Sequence, residues 1–167
     1  MRLLLLWTLA LVFGLLAQTS LLPGLVPPAW RPDVTRALVL WVALTGTPKG
    51  GPVLAFAAGL GLDLCSGAPL GFGPAMRLVV YALARPFRGV FFENHPLLLM
   101  PFAALGATAD AAAAGLLSRL VFPGPIPGEV LLHVAWRQAL LDVFWVPAVF
   151  LGLELLAGRA ARRPVRV

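Results

Sequence analysis

The sequence predicts an all-α integral membrane protein, a compact bundle of about six transmembrane helices that forms one membrane domain over residues 1–167. Three observations predict it. Hydrophobic residues make up 60% of the chain and charged residues only 12%, a balance that ordinary soluble domains do not have. Several apolar stretches approach the roughly 20 residues that a helix needs to cross a bilayer. Proline and glycine clusters separate those stretches at short intervals, so the connections are short.

The first span, 3–22, follows one basic residue, Arg2. A signal peptide would begin in the same way. The apolar run continues past any cleavage site, however, and Ala17-Gln18-Thr19-Ser20 is a poor match to the small-residue cleavage pattern, so an uncleaved helix is expected. The cluster from Pro23-Gly24 to Pro27-Pro28 ends it. The second span, 32–46, opens at Pro32-Asp33, where proline suits the first helical turn and the acid suits the positive end of the helix dipole. It is short for a span, so either the flanking turns from Trp30 to Thr47 complete it or its neighbours shield a thin helix.

The third span, 52–66, and the fourth, 72–85, flank the tight connection Gly67-Ala68-Pro69-Leu70-Gly71 and should form an antiparallel pair. Gly59, Asp63, Gly67 and Gly71 recur at spacing four. A helix persisting through them would gather the glycines on one face and admit another backbone closely. After Arg85-Pro86-Phe87-Arg88 and the polar Glu93-Asn94-His95-Pro96, the fifth span covers 97–117. A stiff loop from Phe122 to Gly128 leads to the sixth span, 131–156, and a basic cytoplasmic tail occupies 157–167.

The formal net charge is +6, but the basic residues are dispersed over helix ends and short loops. There is no basic stripe interleaved with aromatics, which speaks against nucleic-acid binding. The charges read instead as topology. With the N-terminus inside, Arg2, Lys49, Arg85, Arg88, Arg159, Arg162, Arg163 and Arg166 are cytoplasmic, against Arg31 and Arg119 outside. Both termini are therefore expected in the cytoplasm. Trp30, Trp136 and Trp145 are expected as interface anchors or packing residues. Cys65 stands alone within an apolar segment, which excludes a disulfide framework and predicts a small buried side chain.

Ionisable residues inside the apolar segments carry the functional question, because each costs at least a few kcal/mol near a bilayer centre unless it finds a partner or water. They are Arg36, Asp63, Arg77, Asp110, Arg137, Asp142 and Glu154. All but Glu154 fall in the outer halves of their spans, where their charges nearly cancel; Glu154 lies near the basic tail, Arg85 and Arg88. Asp63 is expected to pair with Arg77 or with helix-terminus donors near the Gly67 turn. Two readings stay open for the group: static salt bridges that fix helix register, or a polar cavity open to the outside that takes a small ligand or a partner's polar segment. His95 and His133 fall on opposite sides of the membrane, so no shared metal site is expected. Ser20, Ser66 and Ser118 lack His and Asp neighbours at triad spacing, and the Gly-rich stretches follow helices rather than strands. No catalytic residue, cofactor or metal is predicted.

Two stretches resemble the bacterial rod shape-determining MreD family: Arg31-Pro32-Asp33-Val34 after the first helix, and the run from Ala58 to Gly71, which carries Gly59, Asp63, Gly67 and Gly71. Members of that family similarly have Pro-Asp at the start of the second span and a Gly-x-x-x-Asp core leading into a Gly-rich turn. Size and a six-span layout with both ends inside are similar too. Arg36 and Arg77 depart from the family pattern. The resemblance implies a non-enzymatic scaffold subunit of the cell-elongation machinery in the bacterial inner membrane. It would bind MreC, meet RodA and a class B transpeptidase through the complex, and have MreB on its cytoplasmic side. The family is also similar in architecture to the substrate-binding S components of energy-coupling-factor transporters, which implies a small-molecule-binding membrane subunit as the alternative.

Overall fold

The structure is a computed structural model and describes residues 2–45, 50–67, 69–88, 99–121 and 127–161. Among the described residues six helices make up the fold, and there is no strand. Helix α1 runs Arg2–Leu16, widens into a π turn at Ala17–Leu21 and finishes as Leu22–Leu25. It is followed by α2 (Val34–Thr45), α3 (Gly51–Ser66), α4 (Phe72–Ala84), α5 (Leu99–Val121) and α6 (Gly128–Ala161), with single 3-10 turns at Pro28–Trp30 and Arg85–Phe87. Three segments, Trp7–Leu25, Leu99–Leu116 and Gly128–Leu153, are long and apolar enough to cross a membrane, while Val34–Thr45 and Gly51–Ser66 are apolar but shorter.

The short α2 is the centre of the molecule. Its residues from Thr35 to Leu44 are all buried, as expected of a helix that is apolar all round. At 1.5 Å per residue its 12 residues span about 18 Å, well short of a hydrocarbon core of about 30 Å. Its neighbours shield it on every side. Trp41 packs edge-on against Trp7 of α1, with centroids 6.1 Å apart, and Ala55, Ala58, Val80, Tyr81, Ala103, Val146 and Phe150 close the core around α2. The outer faces of α1 and α6 carry large exposed apolar side chains such as Leu9, Phe13, Leu132 and Phe144. Such a surface suits an apolar solvent, since soluble monomers rarely expose contiguous apolar patches of this kind.

Several boundaries differ from the sequence expectation. The first helix does not stop at Pro23-Gly24 but continues to Leu25, where Val26 turns extended at φ −130° and ψ 131°. The π turn just before Pro23 loosens the hydrogen-bond ladder where a nitrogen without a proton must be accommodated. The second helix starts at Val34, so Pro32 lies outside it and Asp33 takes the capping position. The third helix ends at Ser66 with Gly67 left-handed at φ 69°, and Gly71 at φ 101° precedes α4. The expected face shared by Gly59, Asp63, Gly67 and Gly71 therefore breaks after Asp63. A Cβ at Gly67 or Gly71 would meet nothing within 4 Å; these two glycines serve backbone conformation rather than helix packing.

Gly59 does mediate a close helix approach. A Cβ there would fall 2.3 Å from the carbonyl carbon of Gly73 and the nitrogen of Pro74, so α3 and the start of α4 touch backbone to backbone. Cys65 is exposed rather than buried, because it faces a cleft at the end of the bundle and not the core. Trp30, Trp136 and Trp145 are all exposed. His95, Lys49, Gly124 and the tail beyond Ala161 lie outside the described residues, as does the side chain of Glu154.

Candidate functional site

One end of the bundle gathers the end of α1, the start of α2, the end of α3, the start of α4 and the adjoining parts of α5 and α6. Arg36, Asp63, Arg77, Asp110 and Asp142 converge there. The arrangement begins with Asp33, whose Oδ1 accepts the Arg36 backbone N–H at 2.9 Å and the Thr35 hydroxyl at 2.8 Å. This is N-cap chemistry: a short acidic side chain satisfies an orphan donor of the first turn, which stabilises a helix by about 1 kcal/mol. The second oxygen, Oδ2, is left to face two guanidinium groups, Arg77 Nη2 at 2.6 Å and Arg36 Nη2 at 3.2 Å.

Arg36, one turn into α2, points into the bundle and is 3% exposed. Its Nη1 donates to Asp142 of α6 and its Nη2 to Asp110 of α5. Gly106, four residues before Asp110 and on the same helical face, makes room for it, since a Cβ there would lie 2.9 Å from the Arg36 Cδ. Arg77, from the second turn of α4, donates through Nη1 to the same Asp110 oxygen at 3.2 Å. Asp142 is fully buried, and its Oδ1 accepts from Gln138 Nε2 at 3.0 Å and from the Asp33 N–H at 3.4 Å. Two guanidiniums and three carboxylates thus join α2, α4, α5 and α6. Burial removes their hydration, and the mutual contacts offset that cost because each member meets at least one opposite charge.

Gln18 extends the group into α1. Its carboxamide oxygen accepts the Thr35 N–H at 3.0 Å, and its Nε2 donates to Asp33 at 3.4 Å. It sits in the π turn Ala17–Leu21, an irregularity often found where a helix must re-aim a side chain.

Asp63 takes a different partner from Arg77. Its carboxylate accepts the N–H groups of Gly71 at 2.8 Å and Gly73 at 3.0 Å. The N-cap of α4 is Gly71, which has no side chain to cap with, so the carboxylate at the end of α3 reaches across the turn and does the capping from outside. The helix-terminus alternative is what the structure contains, and Arg77 is engaged by Asp33 and Asp110 instead. Gly73 permits this, because a Cβ there would sit 2.4 Å from Asp63 Oδ1. Arg137 lies over the Trp30 ring, its guanidinium carbon 5.6 Å from the centroid, a cation–π distance.

Above the network opens a cleft of about 660 Å³. Asp33, Arg36, Arg77 and Asp110 form its floor, and Gln18, Asp63 and Arg31 stand at its sides. Arg31 is turned toward backbone, donating to the carbonyls of Val26 at 3.0 Å and Pro23 at 3.4 Å. One wall is apolar, made by Ala107, Ala111 and Ala114 of α5 with Val134 and Ala135 of α6. His133 is exposed and lies against Trp136 at 5.5 Å between ring centroids.

Sequence reasoning pointed to Arg36, Asp63, Arg77, Asp110 and Asp142, took Asp33 for the helix dipole and the Pro-Asp motif but not for the charge network, and passed over Gln18, Gly73, Gly106 and Gln138. A signal for Asp33 was present, since an acid immediately before a helix and three residues ahead of an arginine is both a cap and an ion-pair partner. No protein-family model, no curated protein and no solved structure matches the chain.

Proposed function

We propose that this chain is a multi-span protein of the bacterial inner membrane, with six spans and both termini cytoplasmic. In this reading it serves as a non-enzymatic scaffold subunit of the cell-elongation complex. The observation that carries it is the meeting of two distant stretches, Asp33 at the head of α2 and the Ala58-to-Gly71 stretch, at one end of the bundle. These are the stretches that resemble the MreD family, and their polar side chains act on the fold itself: Asp33 caps α2 and binds Arg77, while Asp63 caps α4. Charges engaged with one another and with helix termini suit a rigid structural subunit. MreC is the expected direct partner, with RodA and a class B transpeptidase reached through the complex and MreB on the cytoplasmic side. The three shorter helices cross as spans beside the three long ones, with α2 at the centre.

The cleft favours a second reading, a small-molecule-binding subunit similar to transporter S components. Its size falls within the range of about 300–1,000 Å³ common to ligand pockets, and by the loop-charge count it faces outward. Mild-detergent extraction followed by identification of copurifying proteins separates the two. Recovery with a large single-span partner and wall-synthesis enzymes supports the scaffold. Recovery with an ATPase module, and none of the former, overturns it in favour of the carrier.

A further inference from the structure

We propose that the cleft over the charge network is a binding site for a small organic cation, one ammonium group attached to an apolar body. The inference rests on the cleft and its floor alone and holds whether the chain serves as scaffold or carrier.

The floor is unbalanced in both charge and exposure. Three carboxylates, Asp33, Asp110 and Asp142, face two guanidiniums, Arg36 and Arg77, so the network carries an excess negative charge. Asp142 is sealed at the bottom, and the guanidinium side chains are only 3% and 7% exposed. The carboxylates of Asp33 and Asp110 are 11% and 22% exposed. What the network presents to the cleft is therefore its acidic side, with the arginines beneath. Asp110 is the more available of the two. Both arginines bind its Oδ2, and Oδ1 is buried without a hydrogen-bond partner; a side-chain rotation that turned Oδ1 into the cleft would give it a donor.

The other charges on the cleft do not cancel this preference. The Asp63 carboxylate is engaged by the Gly71 and Gly73 amides, and Arg31 is held at the rim by the carbonyls of Val26 and Pro23. An ammonium placed at Asp110 would neutralise the excess charge in a site of reduced dielectric, where such pairing is stronger than in water. The wall rising from Asp110 is Ala107, Ala111 and Ala114 with Val134 and Ala135; it would cover an aliphatic or aromatic body and contribute affinity through buried apolar area.

Cys65 is the chain's one cysteine, is exposed and lines this cleft, so it reports occupancy without engineering. The purified full-length chain in detergent micelles at pH 7 is labelled with a maleimide in the presence of 2-phenylethylamine, of phenylacetate or of 2-phenylethanol. The amine is expected to slow Cys65 labelling by about tenfold at roughly ten times its Kd, by mass action, and the isosteric anion and alcohol are expected to leave the rate unchanged. Asp110→Asn should remove the protection. Because that change touches the ion network, Ala111→Trp provides a second test: it fills the wall without removing a charge and should likewise bring the ratio of rates with and without amine to one. Equal protection by phenylacetate would mean that the arginines select the ligand, and would overturn the proposal. So would a folded protein that the amine fails to protect, or undiminished protection in Ala111→Trp.

Discussion

Arg36→Ala is the substitution expected to damage the fold most, and the structure gives the reason. Arg36 is 3% exposed and contacts Asp33, Asp110 and Asp142. Its removal leaves three carboxylates facing Arg77 alone, and Asp142, fully buried, keeps only the Gln138 side chain and the Asp33 N–H. Breaking a buried pair in this way costs about 3–5 kcal/mol. For a chain of this size that corresponds to a fall in Tm of about 6–20 °C. Asp142→Ala should cost less, because it leaves two carboxylates against two guanidiniums. Combined with Arg36→Ala, it should recover part of the loss by removing the stranded charge, with a coupling energy of about 1–3 kcal/mol. Thermal unfolding of the four proteins in one detergent measures this cycle. Effects that add to within about 0.5 kcal/mol would refute the network as a coupled unit.

Gly59→Ala is expected to lower Tm clearly while Gly152→Ala does not, since a Cβ meets the Gly73 backbone at 2.3 Å in the first case and nothing within 4 Å in the second. Gly67→Asn should be tolerated far better than Gly67→Leu, because the position needs a left-handed φ of 69° rather than space; equal losses would point to packing instead. Asp63→Ala and Arg77→Ala should be additive in a double-mutant cycle, as the two side chains have separate partners, and a coupling above about 1 kcal/mol would contradict that geometry. Reporters fused after Arg88 and after Arg163 should appear cytoplasmic and one near Gly124 external, and an external signal from the Arg88 fusion would overturn the orientation.

The helical class was legible because periodic punctuation by Pro and Gly and a shortage of charge are local, additive signals. The meeting of Arg36, Arg77, Asp110 and Asp142 at one end was nearly as legible: alternating helix direction alone places them at a common depth. Which charge meets which was not. Asp63 and Arg77 are neighbours across a short turn, yet the left-handed glycines at positions 67 and 71 fold the turn so that the Gly71 and Gly73 amides point at the carboxylate before any guanidinium reaches it. Gly73 and Gly106 were invisible for a related reason. Each is small because of a side chain on another helix, Asp63 and Arg36 respectively, and sequence spacing within one helix carries no trace of a neighbour's volume. Cys65 was misread because apolar surroundings in sequence do not distinguish a core from an outward face.

The charge network has a particular bearing on α2. A helix buried on every side gains nearly the same apolar contact at any rotation about its axis, so hydrophobic burial holds it in the bundle without fixing how it is turned. At about 18 Å it is also too short for interfacial anchors at both ends to set its depth. Asp33 and Arg36, one turn apart at its head, supply both constraints: the cap fixes where the helix begins, and the guanidinium reaches Asp110 and Asp142 in only one rotation. Apolar residues of similar volume would hold the same space with equal or greater stability, so stability alone does not account for a network of five charges, three of them buried. Selection of one rotation and depth does, and it is a property of the pairs rather than of any member. The coupling between Arg36 and Asp142, more than the loss from either alone, therefore measures what the network contributes to the fold.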